Sequence, residues 1–192
     1  MPVPLAPNGR LARSHGWCGN VVLVRAAEIE DVRTIRLPGL EPRGAVMIDL
    51  SRDGGKLRVI ATHLGLLHAS RLAQVHVLVA ALDAAEAGRD DRPTILMGDL
   101  NEWRLRKRSS LDPLAVRKPE THAPVASFPA RMPMLALDRI MGSATTRITD
   151  FQAHDTPLSR AASDHLPVKA RLALPFAITE HAGVVKRAGG RR

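Results

Sequence analysis

The chain has 192 residues, enough for one domain with a full core and short for two. Its hydrophobic fraction of 45% is ordinary for a globular protein, but aromatics make up only 3% and Tyr is absent, which argues against binding single strands by stacking bases on exposed rings. A net charge of +9 favours anionic partners (nucleic acid, phosphorylated small molecules, acidic membrane surfaces), and the lone Cys18 excludes an intrachain disulfide.

Residues 1–18 read as an irregular lead-in. Prolines at positions 2, 4 and 7 and the lack of an apolar h-region predict no signal peptide, and no apolar run approaches the ~18 residues needed to span a bilayer, so the expected compartment is the cytoplasm. Val21–Val24 and Thr34–Leu37 read as strands, with Pro38-Gly39 a turn signal. Ala45–Leu50, Asp53-Gly54-Gly55 and Leu57–His63 read as strand, tight turn and returning strand, a β-hairpin signature. The period then changes. Leu72, Val75, Leu78, Val79 and Leu82 fall at helical spacing, with Ser70 a candidate N-cap and Gly88 a candidate stop. Thr94–Met97 reads as a buried strand leading into Gly98-Asp99. Residues 104–133 look irregular and basic, with Arg104, Arg106, Lys107 and Arg108 clustered and a short helix near Ser110–Leu114. Leu135–Met141 and Leu166–Leu174 read as further strands, and residues 175–192 as a basic tail with the composition of a disordered segment. Hairpins around one long helix predict a mixed α/β domain with mainly antiparallel strands.

Several polar groups fall at the ends of these apolar runs, where strands hold side chains rigidly and loops admit substrate. His63 ends one strand. Asp99 and Asn101 follow another and, two residues apart, share a side in an extended segment. Asp138 follows Met134–Leu137, and Asp164-His165 precede the last strand. A carboxylate such as Asp138 can orient an imidazole and raise its basicity. Asp99 and Asp164 suit a hard cation, and Asn101 can donate a neutral hydrogen bond to an oxyanion. As a set these groups suit attack of water on a phosphate ester aided by a divalent ion. Singly they have duller explanations: an Asp in a loop is usually a turn former, and a His on an apolar strand is usually a packing residue.

Thr62-His63-Leu64-Gly65, Gly98-Asp99-Leu100-Asn101-Glu102-Trp103, Leu137-Asp138-Arg139-Ile140 and Ser163-Asp164-His165-Leu166-Pro167-Val168 resemble, in order and spacing, the motifs of the endonuclease/exonuclease/phosphatase superfamily. Gly19–Arg25 and Leu40–Ala45 look like its middle segments, so residues 19–174 are taken as the domain. The resemblance implies a deoxyribonuclease I-like two-sheet α/β sandwich flanked by helices in four layers. It implies a hydrolase using Mg²⁺, or Mn²⁺, on phosphodiesters or phosphomonoesters of nucleic acid, phospholipid or inositol phosphate. It makes His165 the general base, Asp138 its orienting partner, Asp99 a positioning and metal-binding group with Asp164, Asn101 a stabiliser of the pentacovalent phosphate and His63 a phosphate ligand. It also places Arg43 in the substrate groove. The family's opening strand ending in Asn, and its Gln-Glu strand carrying the main metal ligand, have no counterpart, since Glu28, Glu30 and Glu41 stand in other contexts. The chain therefore reads as a domain lacking its first strands. The rival reading is a catalytically impaired remnant that binds nucleic acid or anionic surfaces by charge.

Overall fold

A computed structural model describes residues 14–87, 92–104, 109–116 and 123–174. Its centre is a five-stranded sheet in the order β3 (Glu28–Arg36), β4 (Gly44–Arg52), β5 (Gly55–Thr62), β6 (Thr94–Asp99), β7 (Asp138–Gly142). Only β5 and β6 run parallel, joined by the long helix α1 (His68–Glu86), because a parallel pair needs a crossover rather than a hairpin. The hairpin read from the sequence is β4–β5, and its two-residue turn is Asp53-Gly54, both at positive φ, as a tight hairpin turn demands. Gly44 through Asp49 are all buried, which marks β4 as interior, whereas β3 is exposed except for half-buried Ile29, Val32 and Ile35, as suits an edge strand.

The two faces of this sheet carry different layers. Ala45, Met47, Ile60, Leu96 and Met141 meet Val75, Leu78, Leu82 and Ala85 of α1, and Leu114 of the short helix α2 (Asp112–Ala115). Leu78 and Leu82 are fully buried, so truncating either to Ala costs about 2–5 kcal/mol. On the other face Ile95, Ile140, Leu57 and Met97 meet Ile148, Phe151, Ala170 and Leu172 of an antiparallel pair, β8 (Arg147–Ala153) and β9 (Val168–Ala173). A hairpin of β1 (Ser14–Trp17) and β2 (Asn20–Leu23) lies near β4 and β5, with Asn20 donating to the Gly44 carbonyl at 3.0 Å. An apolar groove of about 340 Å³ is lined by Val22, Leu50, Leu57, Val59, Met97 and Leu174 among others. The described residues thus supply helix, large sheet and small sheet, the expected mixed α/β sandwich. No helix among them is long and apolar enough to cross a membrane.

Several sequence expectations need correction. Residues 14–17 form a strand rather than irregular lead-in, because β2 gives their backbone groups a partner. β7 starts at Asp138, not Leu135, which makes only an isolated bridge to Phe128. The final strand is shorter than 166–174, and β8 and the six-residue helix α3 (Pro157–Ala162) were not expected. Helix α1 begins at His68 after Leu67, so Ser70 is inside it rather than capping it. Its buried face is Arg71, Gln74, Val75, Leu78, Leu82 and Ala85; Leu72 lies off that face. Gly88, Arg106, Lys107, Arg108, the first part of the lead-in and the 175–192 tail lie outside the described residues.

Candidate active site

The order of the sheet brings the C-terminal ends of β5 and β6 beside the N-terminal end of β7. Side chains alternate along a strand, so Asp99 shares a side with Met97, His63 with Ala61, and Asp138 with Ile140. That side faces the small sheet, and His165 arrives from it, three residues before β9. A cleft of about 380 Å³ there is lined by Asn20, His63, Asp99, Asp138, Arg139 and Val168 with their neighbours.

Asp99 and Asp138 are direct cross-strand partners. Two carboxylates set opposite each other repel unless a positive group stands between them. His165 partly meets that need. Its Nδ1 lies 2.8 Å from Asp138 Oδ2 and its Nε2 3.8 Å from Asp99 Oδ2. Asp138 also accepts from the Ser127 hydroxyl, and Phe128 packs on the imidazole with ring centroids 4.8 Å apart. The Leu166 amide donates to the Ser127 carbonyl and the Ala130 amide to the Asp164 carbonyl, so the segment before β7 and the His165 loop are fastened together. Burial pushes the His165 imidazole down, but its hydrogen bond to Asp138 and the charges of Asp138, Asp99 and Asp164 outweigh this and hold its pKa above the ordinary value.

The other half of the site is built by two loops. Gly98 has φ +143°, and a Cβ there would lie 1.8 Å from the Thr62 carbonyl oxygen, so only glycine lets the ends of β5 and β6 approach this closely. Asn101 adopts a left-handed φ of +50°, with its amide donating to Asp99 Oδ1 at 2.9 Å. This turn swings its side chain back across the loop. Its Nδ2 donates to the Leu64 carbonyl at 2.9 Å and lies 3.2 Å from His63 Nε2, which is also 3.3 Å from Asp99 Oδ2. Burial lowers the His63 pKa, and Arg43 and His165 add to this against the opposing charges of Asp99 and Glu41. Arg43 is half-buried and held by Glu41, whose carboxylate it meets at 2.6 Å through Nη2 and which also accepts from the Leu66 amide. These hydrogen bonds hold the Glu41 carboxyl below its usual range.

The structure therefore gathers His63, Asp99, Asn101, Asp138 and His165, and the charge of Arg43 acts on His63. Asp164 is exposed and does not join the group of Asp99, Asp138 and His165, whose ligand atoms lie within 4.8 Å of one another. That group suits a hard cation held by Asp99 with water and substrate oxygens, since Mg²⁺ commonly takes only one or two carboxylates. Ser127, Phe128 and Glu41 escape the sequence reading. Ser127 and Phe128 lie in a stretch without periodicity, and only the Glu41-Pro42-Arg43-Gly44 run gave a signal for Glu41.

Paired sheets with carboxylates, imidazoles and an amide converging at their ends make an α/β sandwich with a polar cleft at its strand ends. Residues 3–165 match the Endonuclease/Exonuclease/phosphatase family, and the chain belongs to it. Uncharacterized protein YbhP of Escherichia coli (strain K12) is 32% identical over 176 residues, 83% of this chain. The chain spans 64% of that relative's length. Among solved structures, the mannosyl-6-phosphatase Bt3783 of Bacteroides thetaiotaomicron superposes with a TM-score of 0.64 at 14% identity, covering 78% of this chain and 68% of that one. The human Nocturnin catalytic domain superposes with a TM-score of 0.59 at 21% identity, covering 80% and 62%. These likenesses establish the deoxyribonuclease I-like fold.

Proposed function

We propose that the chain hydrolyses phosphate esters with an activated water and a divalent cation, Mg²⁺ or Mn²⁺. One observation carries this reading: Asp138 holds the Nδ1 edge of His165, which leaves Nε2 facing Asp99 across a gap of 3.8 Å. With Nδ1 protonated toward Asp138, Nε2 is the basic nitrogen. A water between it and Asp99 would lose its proton to Nε2 as its oxygen bonds to phosphorus and the ester P–O bond breaks. The cation, held by Asp99, would neutralise charge on the phosphoryl oxygens. Asn101 and His63, 3.2 Å apart, would supply neutral hydrogen bonds to a phosphoryl oxygen once substrate displaces their mutual contact, and the charge of Arg43 would add to this. Phosphodiesters and phosphomonoesters of nucleic acid, phospholipid head groups and inositol phosphates all offer the required group. The likeness to Bt3783, titled a mannosyl-6-phosphatase, adds sugar phosphates to the substrates worth testing.

The test is hydrolysis of bis(p-nitrophenyl) phosphate with Mg²⁺ by the wild-type chain and by His165→Ala. The variant should lose on the order of 10²–10⁴ in kcat while keeping its circular dichroism spectrum. Equal rates in the two proteins would reject the reading. Anion binding without turnover in either would favour the charge-binding remnant.

A further inference from the structure

Helix α1 buries two polar side chains, Arg71 and Gln74, on the face it turns to the core. Arg71 is 0% exposed and stands in the first helical turn, which has no acidic residue. Both circumstances work against it. Burial penalises the charge, and a cation at a helix N-terminus meets the positive end of the macrodipole. Well-packed apolar side chains in its place would often serve stability as well or better, so the reason for Arg71 lies in what its guanidinium holds.

It holds two loops. Nη1 donates to the carbonyls of Gly65 and Leu66, immediately after His63. Nε donates to the Ser110 hydroxyl at 3.1 Å, and Nη2 lies 3.6 Å from the Glu102 carboxylate, on the loop that follows Asp99 and Asn101. Glu102, also 0% exposed, is fixed in turn by the Ser110 amide and hydroxyl and the Arg104 amide. One turn along the helix, Gln74 accepts from the Gly65 amide and donates to the Pro38 carbonyl, on the loop that brings Glu41 and Arg43. The contacts that span the site itself, the Leu64 backbone amide to the Asp99 carbonyl and the Asn101 side-chain Nδ2 to the Leu64 carbonyl, join these same two loops.

We propose that Arg71 is a positioning residue: anchored by Glu102 and Ser110, it sets the spacing between the loop carrying His63 and the loop carrying Asp99 and Asn101. This rests on the phosphoester reading above. It touches no reacting atom and acts through the two loops. The His165–Asp138 pair has fastenings of its own, through Ser127 and Leu166, and meets the Glu102 loop only through the neighbouring segment, where Arg139 Nη2 donates to the Glu102 carbonyl and the Leu100 amide to the Leu137 carbonyl.

The experiment compares the full-length chain with Arg71→Lys, which keeps the charge but cannot span both loops with a fork of donors. With bis(p-nitrophenyl) phosphate and Mg²⁺, kcat should fall about 10²-fold, the loss a small misplacement of catalytic groups produces, with KM within about twofold. Amide exchange should accelerate at least about tenfold at Leu64 and Gly65 but not at Leu166, the signature of a local opening. If Arg71→Lys does not fold, Ser110→Ala removes one anchor of the guanidinium and should give a smaller change of the same pattern. A folded Arg71→Lys with unchanged kcat overturns the proposal. So does exchange accelerated uniformly across the sheet, with kcat falling only as the unfolded fraction rises. Selective loosening at Leu64 and Gly65 in a chain with no wild-type turnover would support the spacing role and reject the phosphoester reading instead.

Discussion

Among the described residues, Arg58 of β5 and Arg71 of α1 are both buried against carboxylates, and their settings differ. Arg58 meets Asp49 through Nε at 2.7 Å and Nη2 at 2.9 Å, both residues on neighbouring strands in direct register, with Arg33 and Arg92 closing on the same carboxylate. Arg71 makes only a looser approach to Glu102 and spends its other donors on loop carbonyls and a hydroxyl. The first cluster locks strand to strand far from the cleft. The second joins a helix to loops that carry polar groups of the cleft. A buried ion pair is weak evidence of stabilisation taken alone, and what it fastens distinguishes a register lock from a positioning device.

The contrast breaks most readily at Arg58. Arg58→Ala should lower stability by about 3–5 kcal/mol, because Asp49 keeps its burial and loses its bidentate partner. Urea denaturation measures the loss, and kcat of the molecules that remain folded should not change. A fall in kcat there would mean that both ends serve the site.

Asp138→Asn should act the other way, on chemistry more than on folding. Without the carboxylate, burial dominates His165 and its pKa falls. Since the base works unprotonated, the acidic limb of the pH–rate profile should move to lower pH while kcat drops by about 10²-fold or more. In the wild type, that limb should lie above the ordinary histidine value of about 6.5. The same raised pKa gives a stability contribution that is full at low pH and lost as pH rises through the folded-state value.

Asp49 gives the opposite sign. Burial would raise its pKa, but the hydrogen bonds and charges of Arg58, with Arg92 and Arg33, hold it below the usual value. Its contribution is therefore complete above the unfolded value of about 3.9 and is lost as pH falls through the folded one. The difference in urea midpoint between wild type and Asp49→Asn should be constant near neutrality and shrink in acid.

The smallest effect belongs to Arg160 and Asp155, a bidentate pair on the surface. Arg160→Ala should leave the melting temperature within error, since exposed pairs contribute little. A measurable drop would show that α3, just before Ser163-Asp164-His165, depends on that pair.

The sequence disclosed what repeats or punctuates. The β4–β5 hairpin was readable from two alternating runs around Asp53-Gly54, β6 from its apolar run, and α1 from its Val75, Leu78 and Leu82 spacing. That His63, Asp99, Asn101, Asp138 and His165 belong together was implied by the resemblance of their ordered motifs to a family, not by the strand pattern. What stayed hidden was polar and buried. Apolar periodicity cannot reveal that Arg71 and Gln74 face the core, and it drew attention to Leu72 instead. Ser127 orders Asp138 from eleven residues away through a stretch without regular structure, and β8, interrupted by a bulge near Asp150, shows no clean alternation.

The Trp103 indole lies against two guanidiniums, with Arg71 Cζ 5.2 Å and Arg104 Cζ 5.8 Å from the ring centroid, and is 49% exposed. An excited indole is sensitive to nearby charge and to water. The protein thus carries an intrinsic fluorophore on the loop that follows Asp99 and Asn101, whose emission offers a label-free gauge of anions reaching the exposed Arg104.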